Sequence, residues 1–233
     1  MNSDLFDSKY WPLSSRASKS FETSGSDNSG LCKYTYNELG YRGDSIKEDI
    51  KMLAVGCSHT EGIGLNDNET WPHYLAKSLN LKHINMGFTG RSNDYISRTV
   101  NDYIAKINPK VVIVMYTYPS RREYWTKYGP QPYAINSWGY FEDHPDKHKA
   151  FTELSSEESD YNNWLKNHLL ITHICQKHNV PLIWDGTFLN YNYTDSNQFI
   201  SDYNIDNGKH ANAAQNKAYS IKLEKYIKTK RYA

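Results

Sequence analysis

Ser58 and His210 are the residues of this chain whose surroundings could support covalent chemistry. Ser58 stands in Gly56-Cys57-Ser58-His59-Thr60-Glu61-Gly62, directly after an apolar run. A serine just past a strand, flanked by glycines and ahead of a helix, has its hydroxyl exposed by the turn. Backbone N–H groups at the helix start can hold an oxyanion. Such a hydroxyl attacks an acyl carbon only if a neighbouring base removes its proton. Asp206-Asn207-Gly208-Lys209-His210, just before the last helical stretch, supplies an imidazole and a carboxylate on one turn. Asp206 would fix the His210 tautomer and leave the other ring nitrogen for Ser58. The chemistry is acyl transfer, which needs neither a metal nor an organic cofactor.

These residues need elements to position them. Lys51 to Gly56 reads as a buried strand ending at glycine. Glu69 to Leu79 reads as a helix with Trp71, Leu75 and Leu79 on one face. His83 to Met86 is a short strand, and the spacing of apolar residues predicts a helix from Ser92 to Ile107. Val111 to Tyr116 lacks polar alternation and belongs in the middle of a parallel sheet. A helix over Asn162 to His178, a strand over Val180 to Trp184 and a final helix from about Ala211 to Lys228 complete the pattern. Strand–helix alternation implies crossovers, a parallel sheet and helices on both faces, a three-layer α/β/α sandwich. Residues 1–30 read as an irregular N-terminal arm and 31–233 as one α/β domain, with polar, aromatic insertions at 117–160 and 186–205. Ligands in such a sheet sit at the carboxyl ends of the strands.

Composition narrows the function further. Lys and Arg total 27 against 26 Asp and Glu, so no basic field exists for a phosphate backbone and a nucleic-acid partner is disfavoured. The longest apolar runs fall far short of a membrane span. Met1 to Phe21 has no apolar core, so no signal peptide is expected and synthesis is placed in the cytoplasm. Cys32, Cys57 and Cys175 imply no disulfide framework. The 20 Tyr and 6 Trp replace missing aliphatic side chains, and many phenols must end near water or a partner.

The Ser58 segment resembles the first block of the SGNH (GDSL-type) hydrolases, G-D-S-x-T-x-G, with Cys57 where aspartate is usual. Asn85-Met86-Gly87-Phe88-Thr89-Gly90-Arg91-Ser92 is similar to their second block, and Asp206 to His210 to their last, Asp-x-x-His. Asn37 to Arg42 is similar to a lead-in of phage and marine bacterial members. The resemblance covers roughly residues 34–228 and implies a flavodoxin-like fold, ester hydrolysis, and an oxyanion held by the N–H groups of Ser58 and Gly90. The family's third block, Gly-x-Asn-Asp, is replaced by Tyr116-Thr117-Tyr118-Pro119-Ser120, which leaves Asn93 as the substitute oxyanion donor. The last block is one residue too long, so both Asp206 and Asn207 stand as candidates to orient His210.

Other residues carry competing readings. Ser58 could cap a helix. His59, adjacent to Ser58, is expected to point elsewhere. His144, His148, His173 and His178 have metal-like spacing but no cysteine or acidic set beside them, and read as solvated. Arg121 and Tyr118 follow the central strand, where substrate would sit, and Arg121 suits either a structural pair or substrate recognition. Asp185 reads as a turn residue or a wall of the site. The tyrosine-rich loops suit core filling, a sugar platform or a subunit interface. The substrate expected is a small acyl ester or an acylated glycan. The alternative is a catalytically weak or inactive binding module, for example a virion component gripping other subunits, or copies of itself, through the arm and aromatic loops.

Overall fold

In the computed structural model of the chain, the apolar runs become strands of one twisted sheet. The structure describes residues 16–24, 30–126, 129–134, 149, 152–153, 155–186, 188–189, 193, 195, 197–199 and 210–230. The strands are β1 (Ser20–Ser24), β2 (Leu31–Thr35), β3 (Arg42–Gly43), β4 (Met52–Gly56), β5 (His83–Gly87), β6 (Val111–Met115), β7 (Arg121–Thr126), β8 (Gly129–Ala134), β9 (Leu182–Asp185) and β10 (Gln198–Phe199). The helices are α1 (Ser58–Glu61), α2 (Trp71–Leu79), α3 (Asn93–Ile107), α4 (Glu157–Lys177) and α5 (Ala213–Lys230).

The main sheet has the order β10-β9-β6-β4-β5-β3. Its first five strands run parallel, and β3 closes the edge antiparallel to β5. From β4 onward the parallel strands follow the flavodoxin-like order 2-1-3-4-5, and the order reverses between β4 and β6. Ser58 follows the first of these strands and Thr117 the second, so both border the crevice where the fold places ligands.

Side chains alternate across the sheet as the pleat demands. Leu53, Val55, Val112 and Val114 face α3 and α4, packing on Ile96, Val100, Trp164 and Ile171. Met52, Ala54, Val111 and Ile113 face α2 and α5, packing on Trp71, Leu75, Leu223 and Ile227. Two-sided burial explains why runs of five residues suffice as strands. The helix ends follow their capping residues. Thr70 and Ser92 accept the N–H of His73 and Tyr95, and Asn80 and Asn108 take left-handed conformations that stop α2 and α3.

Three expectations change. The stretch read as irregular through residue 30 contains β1, which pairs antiparallel with β2. The insertion contains the hairpin β7–β8. Helix α4 begins at Glu157, five residues before the expected Asn162, because Ser156 accepts the Ser159 N–H and acidic residues fill the first turn.

The seat of α1 depends on two glycines. A Cβ at Gly56 would overlap the Thr60 side chain, and one at Gly87 would overlap the Glu61 amide nitrogen. We expect Gly87→Ala to destabilise the fold by about 1–3 kcal/mol, as overpacking does. Urea unfolding measures this, and an unchanged midpoint would refute the tight seat of α1 on β5.

Candidate active site

Strand β4 runs through extended Cys57 into the single turn of α1, and Gly62 ends that turn at φ +80°, its N–H on the Ser58 carbonyl. The turn is held from beneath and from its end. Asn85 donates to the Thr60 carbonyl at 2.7 Å and accepts the Gly87 N–H at 3.0 Å. Arg42, buried, donates to the carbonyls of Glu61, Gly62 and Leu65, each at 2.9 Å, and pairs with Asp67. These bonds satisfy carbonyls that a one-turn helix leaves unpaired. Ser58 itself is 5 % exposed.

Glu61, three residues after Ser58, is a buried carboxylate with four donors. Arg16 Nη1 reaches it at 2.8 Å and the Tyr36 hydroxyl at 3.0 Å. Thr89 supplies its N–H at 2.7 Å and its hydroxyl at 2.6 Å. Arg16 also lies over the rings of Phe88 and Tyr36. A residue of the expected arm is thereby fastened to the back of the Ser58 turn, and the same carboxylate fixes the loop carrying Gly90. Gly90 sits at φ +73°. The N–H groups on either side are committed, that of Thr89 to Glu61 and that of Arg91 to the Phe88 carbonyl.

His59, expected to point elsewhere than Ser58, packs between two aromatic partners. Its ring lies 4.8 Å from His210 and 4.8 Å from Phe188, centroid to centroid, and the residue is buried. His210 is thus brought to the turn that carries Ser58. Among the described residues the Ser58 hydroxyl and the His210 ring share no hydrogen bond, and such bonds often tighten only with substrate present. Burial, then the charges of His210 and Arg121, push the His59 pKa down to about 3. Burial first, and Arg121 second, also lower that of His210, with Glu61 opposing. Both rings therefore favour the neutral form, the one a general base needs.

The far wall comes from the segment after β6. Asn93, expected as an oxyanion donor, accepts the Thr117 N–H at 3.0 Å and donates to the Thr117 carbonyl at 3.1 Å. That clamp uses one of its two amide hydrogens. Tyr118 is 39 % exposed and its ring lies 4.9 Å from Phe188. Arg121 donates to Thr117 Oγ1 at 2.9 Å and covers the Tyr118 ring. Asp185 is a strand residue rather than a turn residue, closing β9 at 2 % exposure with its carbonyl on the Tyr116 N–H. Asp206, Asn207, His144 and His148 lie outside the described residues.

Sequence reasoning passed over His168. It is buried in α4, bonded to the Tyr116 hydroxyl at 3.0 Å and to Asp195 at 3.1 Å, and Asp195 also accepts the Trp184 indole N–H. Its spacing from Trp164 and Ile171, on the apolar face of α4, was the available signal. A separate cavity of about 180 Å³ lies between β3, β5 and the start of α2, where Arg42 already pairs with Asp67 and His83 with Asp44. Among the described residues, no cluster of three or more His, Cys, Asp or Glu is arranged to hold a metal ion, and no helix is long and apolar enough to cross a membrane.

Solved structures share this fold. An acetyl xylan esterase, Est2A, from the rumen bacterium Butyrivibrio proteoclasticus is 12 % identical, with a TM-score of 0.51 over 78 % of this chain and 64 % of its own. The psychrotrophic esterase EstA from Pseudoalteromonas sp. is 11 % identical, with a TM-score of 0.50 over 78 % of this chain and 99 % of its own. A protein described as lipolytic and of the G-D-S-L family, from Desulfitobacterium hafniense DCB-2, is 15 % identical at a TM-score of 0.39, over 78 % of this chain and 73 % of its own. The chain spans just under two thirds of the rumen esterase. No protein-family model matches the sequence, and no curated protein sequence does. At these identities the likeness to the rumen and Pseudoalteromonas esterases establishes the fold alone, a mostly parallel α/β/α sandwich.

Two measurements test this geometry. A double-mutant cycle of Arg16→Met and Glu61→Gln should give a coupling of about 1–3 kcal/mol in unfolding free energy. A coupling near zero would show that Arg16 does not dock. The low His59 pKa means the unfolded chain binds a proton that the folded chain refuses. Stability is therefore full above about pH 6.5 and declines as pH falls towards 3. His59→Phe, which keeps a ring against Phe188, should flatten the melting-temperature profile across that window; an unchanged slope would contradict the buried, neutral His59.

Proposed function

We propose that the chain, which carries the fold of these esterases, is a serine hydrolase cleaving carboxylic esters through an acyl-enzyme on Ser58. The observation that supports this reading is the packing of His210 against His59, the residue next to Ser58, at the carboxyl edge of the sheet where the strand order reverses. Ser58 Oγ attacks the ester carbonyl while His210 takes the hydroxyl proton. The tetrahedral oxyanion is held by the N–H groups of Ser58 and Gly90, with the spare amide hydrogen of Asn93 as a third donor. Collapse expels the alcohol, which takes the proton from His210. Water then attacks the acyl group, His210 accepts its proton, and the acid leaves as Ser58 regains its hydrogen. Asp206 orients the ring throughout. Because its pKa is depressed, His210 remains a free base below the usual histidine range.

An O-acetyl group on a glycan is the substrate class we favour. Tyr118, 39 % exposed and seated on buried Phe188, offers an aromatic surface against which a sugar can pack. The acetyl xylan esterase among the structural neighbours agrees with that choice. One observation favours a second reading, a binding module without turnover: Asn93 is clamped to Thr117, so its amide is less free to serve the oxyanion.

A fluorophosphonate probe should label the protein, and a short-chain aryl acetate should be hydrolysed. Ser58→Ala should abolish labelling and lower kcat by about 10⁴-fold or more. Absence of labelling, with equal background rates in both proteins, would leave only the binding module.

A further inference from the structure

We infer that Arg121 forms a carboxylate subsite beside His59 and His210, so that the preferred substrates are esters on acidic sugars; this rests on the hydrolase reading. The guanidinium is positioned by three features. Tyr118-Pro119-Ser120-Arg121 makes a turn closed by the Arg121 N–H on the Tyr118 carbonyl at 3.1 Å. The side chain folds back over the Tyr118 ring, 5.1 Å from its centroid. One Nη then donates to Thr117 Oγ1, and Thr117 is itself clamped by Asn93.

What the side chain does not do is as informative. The adjacent Arg122 pairs with Asp160 at 2.7 Å, and Arg98 pairs with Glu123 at 2.7 Å. Among the described residues Arg121 has no carboxylate within ion-pair distance. With Nη1 spent on a neutral hydroxyl, the Nε and Nη2 edge of the fork keeps two parallel N–H groups, the pattern that grips a carboxylate in bidentate fashion. That edge belongs to a continuous wall: Arg121 on Tyr118, Tyr118 on Phe188, Phe188 on His59, and His59 on His210. The electrostatic pull of Arg121 on both histidines agrees with this nearness. A sugar lying beside Arg121 and the exposed edge of Tyr118 would hold its carboxylate in the fork and its acyl ester towards Ser58.

The test uses two methyl glycosides with the same O-acetyl ester, a glucuronate and a glucoside, which differ only in a carboxylate against a hydroxymethyl group. The wild-type kcat/KM should favour the uronate by about 10-fold or more. Arg121→Met should lower the uronate-to-glucoside ratio about 10- to 100-fold, the range expected for lost charged hydrogen bonds. Arg121→Lys, which keeps the charge and loses the fork, should restore part of it. A wild-type ratio near one, or a ratio unchanged in Arg121→Met, overturns the subsite while leaving the hydrolase intact. If neither ester is cleaved and no fluorophosphonate labelling occurs, the hydrolase reading fails by itself. Calorimetric binding of the acetylated glucuronate then decides the subsite: affinity lost in Arg121→Met upholds it, and equal or absent binding in both proteins overturns it.

Discussion

The buried carboxylate of Glu61 is the constraint around which this end of the molecule is arranged. An ionised carboxylate taken from water costs several kcal/mol unless it is paired and hydrogen-bonded. Here the compensation comes from three separate parts of the chain. Arg16 brings charge, Tyr36 a phenol from the end of the β1–β2 ribbon, and Thr89 two donors from the loop after β5. Each partner is thereby placed: the end of the ribbon and the loop after β5 both against Glu61 at the end of α1. Burial together with Glu61 raises the Tyr36 pKa, so the phenol stays a donor.

The middle of the sheet was legible because β4 and β6 are uninterrupted apolar runs that feed two faces. The edges were not. β3 and β10 are two residues each, too short for any periodicity, and their pairing is set by neighbours rather than by composition. β8 contains two prolines, which argue against a strand unless it lies in an isolated hairpin. The place of Ser58 at the head of the turn after β4 was readable from the glycines around it, and that of Arg121 from the apolar strand before it. His59 was passed over because its partners, Phe188 and His210, lie far along the chain and leave no local pattern. The role of Arg16 had no local signal, since its partner lies 45 residues away.

The tyrosine excess resolves into distinct physical uses. Tyr95 and Tyr41 are fully buried and share a hydrogen bond, while Tyr95 also reaches the Met86 carbonyl. Tyr116, at the end of the run read as the central strand, is a core residue whose hydroxyl is hydrogen-bonded to His168. Such rings supply the volume that scarce aliphatics leave unfilled, and pairing their polar tips removes the cost of burying them. Tyr118 alone of this stretch, among the described side chains, turns outward beside the crevice. Tyr128, Tyr140, Tyr191 and Tyr203 lie outside the described residues, so the split between interior and edge is drawn from the others.

The two-residue strands at either margin of the main sheet have a bearing on self-association. A long, flat outer strand offers a ladder of unpaired amides and carbonyls on which a second molecule can template. β3 runs against the parallel grain and ends at Gly43, where φ is +104°, and its neighbour Arg42 is turned inward to bind the carbonyls after Ser58. The residue that braces the Ser58 turn therefore also shortens the border of the sheet. A stretch that could have been sticky is spent on holding that turn in place.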